Sequence, residues 1–249
     1  KIENNLDYKD QQKVNDFIQR QKKQDEMMKE FSEKMKDNLE QFKSDKKDEK
    51  KDLLEERLEK TQQELDKNKK LLDELQKLND KISKEELFEK MEKFQQASKN
   101  QTKSLEQLVE LTKRYYVEKK AEQIKDKLDK LSEKQEKLSE KNDQNNAQNQ
   151  EEINKEFDKI QEELDELDKE NKGLKKPLEL PNTDEKEKSI DEDLKEAKDQ
   201  LQKDQKQKAK AKQKSASKKM KQMSEKMEEE MASSGMEQME EDVAMLRQI

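Results

Sequence analysis

The chain has 249 residues, of which 49% are charged and 27% apolar. A compact globule of that length needs roughly half its residues apolar, so a thick core is excluded, leaving a long helical rod with a thin seam, or disorder. The presence of only 2 glycines and 2 prolines favours the rod, and a net charge of −7 from 57 basic and 64 acidic residues gives no overall cationic field for nucleic acid.

Reading from the N-terminus, Val14, Phe17, Met28, Phe31, Met35 and Phe42 keep a three-and-four spacing if Gln21 and Gln24 fill the missing steps. This predicts a first amphipathic helix ending in the charge run Ser44 to Asp52. A second register follows at Leu54, Leu58, Leu65, Leu72, Leu75 and Ile82, with Thr61, Asn68 and Asn79 at its gaps. Polar seam residues lower stability but fix register and partner number. Residues 1–82 therefore read as N-terminal coiled-coil helices.

Ser83 and Glu86 have capping-box spacing, which fits either a new helix start or a cap-like pattern inside one continuous helix. Residues 83–172 read as one long central coiled-coil helix. Its seam runs Leu87, Met91, Phe94, Leu105, Leu108 and Tyr115, slips in phase near Tyr115–Val117, and resumes as a ladder. That ladder is Ile124, Leu128, Leu131, Leu138, Ile153, Phe157, Ile160, Leu164 and Leu167. Spacings of three, four and seven place it on one stripe that repeats about every 3.5 residues, the period that supercoils helices around a partner. Asn142, Asn145 and Asn149 also fall on the seam and should make its weakest stretch. If helical throughout, Lys84 to Asn171 would reach about 130 Å.

Gly173 is placed as a left-handed residue just past a helix end, and Pro177 and Pro181 forbid continuation. Residues 173–183 are thus a turn, with Thr183 or Asp184 capping the next helix. A connection of that length suits an antiparallel return. The returning Lys/Met-rich helix, 184–232, carries Ile190, Leu194, Ala197 and Leu201, of which Ile190, Leu194 and Leu201 should pair with the Ile153–Leu167 ladder, then Met220, Met223, Met227 and Met231. A short break at Ser233–Gly235, with Ser234 and Glu237 at capping-box spacing, leads to a short amphipathic helix, 236–249. The fold class is all-α: long coiled-coil helices with a helical hairpin return and no globular core.

Chemistry-bearing motifs are few. There is no His and no Cys, so imidazole sites, triads built on His, disulfides and thiolate metal sites are ruled out. Two glycines cannot build a phosphate-cradling loop. The runs Glu228–Glu230 and Glu240–Asp242 read as solvated helix faces. No residue is assigned to catalysis, a cofactor or a metal, and no cofactor is expected. The sharper candidate is the lysine run Lys203, Lys206, Lys208, Lys210, Lys212, Lys214, Lys218, Lys219 and Lys221, opposed only by Asp204. It suits either an anionic surface or an acidic face of the returning helix. It holds no Arg and no aromatic, so base reading and stacking are not expected. The methionine stripe reads as core packing. Tyr115-Tyr116 marks either a partner contact or the seam slip.

The longest apolar run, Val243–Leu246, is far short of the ~20 residues that span a bilayer. With Lys1 at its head and a helical pattern still running at Ile249, the sequence reads as an internal piece of a larger protein.

The segments KKPLELPNTDEKEKSIDEDLKEAKDQLQK, KKMKQMSEKMEEEM and GMEQMEEDVAMLRQI resemble a group of large membrane-anchored coiled-coil envelope proteins of Bacteroidota, grouped as a domain of unknown function. The resemblance covers about Gly173–Ile249. It implies a periplasmic location, a membrane anchor on the N-terminal side outside this chain, and more sequence after Ile249. It carries over no catalytic residue. The expected function is a structural or scaffold segment that binds protein partners or self-associates, with no specific nucleic acid and with membrane contact only through a segment outside this chain. A holdase-like helical chaperone and an extended surface fibre are the alternatives.

Overall fold

The computed structural model describes residues 7–43, 46–78 and 81–249. Ser44 and Asn79, placed above in a charge run and on a seam, lie outside them. The described residues form six helices and no strand: α1 (Tyr8–Glu40), α2 (Glu49–Leu78), α3 (Lys84–Glu140), α4 (Ala147–Lys172), α5 (Asp184–Gln202) and α6 (Lys206–Gln248). The all-α expectation is met. The chain divides into two compact units, one running to Thr112 and including Glu241–Ile249, the other Lys113–Glu240.

In the first unit α1 and α2 are antiparallel. Lys22 meets Asp73, Lys29 meets Asp66 and Lys36 meets Glu59, so the pairs step in opposite directions along the two helices. The start of α3 runs beside α1 in the same direction, as Gln21–Ser98 and Gln24–Thr102 show. A capping box starts α3: the Ser83 N–H donates to Glu86 Oε2, and the Glu86 N–H donates to Ser83 Oγ. Val14, Ile18, Leu72, Leu75, Leu87 and Met91 form the core at one end, with Phe17 and Phe94 meeting edge-to-face at 6.2 Å. The inner stripe of α1 differs from the expected one. Asp25 and Ser32 are buried where Gln24 and Phe31 were expected, and Phe31 is exposed. Spacing alone left two stripes one residue apart, and packing against α2 and α3 selected the more polar.

The second unit is an up-down-up-down four-helix bundle. Ion pairs Lys120–Glu170, Lys127–Glu163 and Lys134–Glu156 align α3 antiparallel to α4. Lys198–Glu151 and the Asn154 amide on Leu194 O align α4 with α5. Lys219 on Ser189 and Lys212 on Glu196 align α5 with α6. Ser132–Ser217 and Lys221–Asp129 close α6 back onto α3. One core joins Ile124, Leu128, Leu131 and Leu138 from α3 to Ile153, Phe157, Ile160, Leu164 and Leu167 from α4, Ile190 and Leu194 from α5, and Met220, Met223 and Met227 from α6. The apolar ladder therefore meets its partner faces within the chain, in four-helix layers.

Several sequence expectations are corrected. The helix expected over 83–172 is two helices. Residues 141–146 turn, with Asn146 as N-cap of α4 accepting from the Asn149 N–H and the Asn149 amide donating to Gln144 O. Asn side chains compete for backbone groups and hold turns, and folding the ladder in half buries its two ends against each other. Residues 184–232 also split, because α5 ends at Gln202. Asp204 has φ 56, and N–H groups of Asp204 and Gln205 bond to Leu201 O and Gln200 O. This Schellman turn places Asp, which tolerates the left-handed region better than most residues, where Gly is usual. Gly173 is a helix end but in the right-handed region, φ −77, with its N–H on Lys169 and Glu170 carbonyls. Leu201 is half-buried and outside the core, in the last turn before that reversal. The break at 233–235 and the separate helix 236–249 are absent: α6 continues through Gly235. Ser233 and Ser234 hydroxyls donate to Glu230 O, and one Gly costs only about 1 kcal/mol in a helix.

Candidate functional site

The lysine run lies on α6 and the turn before it. Three of its members meet carboxylates of neighbouring helices. Lys219 and Lys212 converge on Asp193 of α5, at 2.5 and 3.5 Å, and the Ser215 hydroxyl donates to the same group at 2.6 Å. Lys221 and the Ser224 hydroxyl converge on Asp129 of α3. Lys210 donates to Asn142 Oδ1 at 2.9 Å. The acidic-face reading thus describes part of the run. Burial pushes both Asp193 and Asp129 upward, but their lysines and serines outweigh it and hold each below the usual carboxylate range.

A depressed carboxylate stabilises the fold above its ordinary pKa, and that contribution is lost as pH falls through the folded value. Lys219→Gln should lower stability at neutral pH by about 2 kcal/mol, the scale of a hydrogen bond to a charged group. It should also make the acid-side loss shallower. Denaturant melts across an acid pH series check both.

Two buried polar layers specify the bundles. In the second unit Gln135 and Gln150 exchange amide hydrogen bonds at 3.0 and 2.6 Å. Gln213 donates to Gln150 and exchanges with Asn145. Each side chain satisfies the next, so the layer fixes which helices face each other near the 141–146 turn. In the first unit the Gln21 amide donates to Ser98 Oγ and Asp25 Oδ1. Burial raises the Asp25 carboxyl, and the Gln21 amide only partly offsets it.

A raised carboxyl contributes stability fully below its ordinary pKa and loses it as pH rises through the folded value. Asp25→Asn should therefore stabilise the first unit at neutral pH by about 1 kcal/mol and flatten its decline over the range just above the ordinary carboxylate pKa of about 4. Thermal melts of both proteins across that range test it.

An open apolar groove of about 520 Å³ lies between α1 and α3 in the first unit. Arg20, Lys23, Met27, Met28, Phe31 and Leu105 line it. Met27 is 62% exposed and Phe31 44%. The three-and-four spacing places Met28 and Phe31 on a seam and gives no place to Met27. The signal available was that Lys9, Lys13, Arg20, Lys23, Met27, Phe31 and Lys34 share a heptad stripe of their own. On α6 the expected methionine core holds for Met220, Met223 and Met227, whereas Met236 is 75% exposed.

The seam residues Ile124, Leu128, Leu131, Leu138, Ile153, Phe157, Ile160, Leu164, Leu167, Ile190 and Leu194 are brought into one core, which Leu201 does not join. Gly173, Pro177 and Pro181 lie in the α4–α5 connection, where Asn171 pairs with both the N–H and the carbonyl of Leu178. Tyr115 is buried, and burial pushes the Tyr116 phenol up to about 12. Among the described residues no helix is long and apolar enough to cross a membrane, and no group of three His, Cys, Asp or Glu side chains is placed to hold a metal ion. No protein-family model, no curated protein and no solved structure matches the chain.

Proposed function

We propose that this chain is a non-catalytic scaffold segment whose long helix faces dock protein partners in a bacterial envelope. One observation carries the reading: the bundle of the second unit gathers the Ile124–Leu167 ladder, Ile190, Leu194, Met220, Met223 and Met227 into one internal core, and ion pairs between charged residues run along its outside, with exposed methionines only towards the 236–239 stretch of α6 among the described large apolar residues of that unit. Such surfaces select partners by charge and register and do not enclose a substrate. The envelope setting rests on the resemblance of Gly173–Ile249 to the membrane-anchored Bacteroidota group, and it makes the chain a periplasmic part of an anchored protein.

The exposed Met27 and Met236 favour a second reading, a holdase that grips unfolded clients, since methionine adapts to irregular apolar surfaces. Pull-down with the full-length protein, paired with an aggregation assay on a heat-unfolded reporter, separates the two. The scaffold reading expects a small set of folded envelope proteins and no suppression of aggregation. A broad spread of unfolded clients with suppression would replace it by the chaperone reading.

A further inference from the structure

Two exposed helix stripes in this chain match each other in charge, apolar content and spacing. The first, on α1, is Lys23, Met27 and Phe31, which line the α1–α3 groove, with Lys34 next on the same stripe. Lys9, Lys13 and Arg20 extend it, and Asp16 is the acid on the same stripe. The second, on α6, is Glu229, Ala232, Met236 and Glu240, with Glu225 one step before and Met239 beside it. Every one of these side chains is exposed. The first stripe steps by four, four and three and the second by the reverse, so each lies on one helix face.

Laid antiparallel, the stripes coincide in one register: Lys23 faces Glu240, Met27 faces Met236, Phe31 faces Ala232 and Lys34 faces Glu229. Two opposite-charge pairs then bracket a large-on-large and a large-on-small apolar step, the arrangement that sets partner choice in paired helices. The parallel register that also stacks Met27 on Met236 keeps one opposite-charge pair, Arg20 with Glu229, but offsets it by setting Asp16 against Glu225, where the antiparallel register has two such pairs and no like-charge contact between the stripes. The charges alone therefore choose the antiparallel one.

We propose that α1 of one copy docks on the 225–240 face of α6 in a second copy, in that antiparallel register. The proposal rests on the scaffold reading and names a partner for it. The α6 stripe is about 24 Å long at ~1.5 Å per residue, so the contact is smaller than a standard stable interface. Association is consequently weak, dependent on concentration and sensitive to salt. A flat anionic membrane fits the same lysines less well, because Met28 and Leu105 lie within a groove that a helix ridge fills and a bilayer surface does not.

The chain has no cysteine, which allows a direct test on the full chain. Met27→Cys and Met236→Cys variants, each carrying one thiol, are mixed and oxidised at low salt. With the two variants equimolar, the mixed disulfide should make up well over the statistical half of all dimers and fall to that half at about 0.5 M salt. Sedimentation supplies a second reading. Lys23→Glu with Lys34→Glu should weaken self-association about tenfold or more, as should Glu229→Lys with Glu240→Lys, and mixing the two double variants should restore it. Circular dichroism checks that these exposed substitutions leave the fold intact. A mixed disulfide at only the statistical proportion in low salt, or no rescue on mixing, overturns the proposal. So does a chain that stays monomeric while sedimenting with phosphatidylglycerol-containing vesicles. A monomeric chain that still captures folded envelope proteins would end the self-association and leave the scaffold reading standing.

Discussion

Phe157→Ala should cost the second unit about 3–5 kcal/mol, against a total stability of about 5–15 kcal/mol for an ordinary domain. Phe157 is fully buried in the four-helix core, among the aliphatic side chains of α3, α4 and α5 and the methionines of α6. Its removal takes away both the transferred area and the contacts of every residue lining the gap. The flexible methionines on α6 should refill part of that gap, which places the loss at the lower end of the range. Because the chain has two compact units, the second should melt before the first, and the transition should broaden or split. Denaturant titration followed by circular dichroism measures this. The result also separates a closed bundle from a two-stranded rod. In a bundle the loss is independent of protein concentration, whereas in a rod of paired chains it shifts with concentration. A loss below about 1 kcal/mol would mean that Phe157 is not enclosed on all sides.

The ladder from Ile124 to Leu167 was legible because helical spacing reports directly which residues share a face. What spacing does not report is the face they meet. The same stripe satisfies a second chain or a folded-back half of itself, and only the local preference of Asn142–Asn146 for a turn decides. In the sequence that preference shows only as the weakest stretch of one long helix, and in the fold it is where that helix ends. The reversal after Lys203 was less legible. It is carried by one Asp in the left-handed region, a role Gly usually takes, while Gly173, which carries the usual signal, uses a right-handed backbone. Gly235 shows the converse: a small cost from one residue is overridden by the packing on either side of it.

The surfaces follow the same division. The lysine run is legible as charge, and an acidic face within 184–232 holds for Lys212 and Lys219, whereas Lys221 meets an acid of α3. Which acids supply it, Asp193 and Asp129, depends on the bundle topology. The polar layers were legible only in part. By spacing Gln21 is a seam filler and Asn145 a weak seam position. Gln135, Gln150 and Gln213 carry no mark that separates a buried glutamine from the many exposed ones. Their burial follows from the pairing of α3, α4 and α6, each amide being acceptable inside because another meets it.

Lys50→Ala should destabilise the first unit by about 3–5 kcal/mol and release the end of α6 that belongs to that unit. Lys50 is a lysine with almost no solvent access, near the start of α2, and its ammonium lies 2.6 Å from a carboxylate oxygen of fully buried Asp242. Two charges out of water are tolerated only as a pair, so removing the ammonium leaves Asp242 with a desolvation penalty that its own attraction no longer offsets. Around the pair, Val243 and Leu246 are buried, Arg247 pairs with Glu49, and Arg57 donates to the Arg247 carbonyl at 3.2 Å. The exposed members of that set contribute little by themselves. Hydrogen exchange should therefore show the amides of 242–248 losing protection in Lys50→Ala, together with a lower melting temperature. Replacing the pair by Lys50→Met with Asp242→Leu should restore both to near their original values, because an apolar pair of similar volume needs no compensation. Unchanged protection in the single variant would show that the apolar contacts of Val243 and Leu246 hold the α6 end without the ion pair. Loss in the double variant equal to that in the single would show that the pair contributes attraction beyond repaying its own burial.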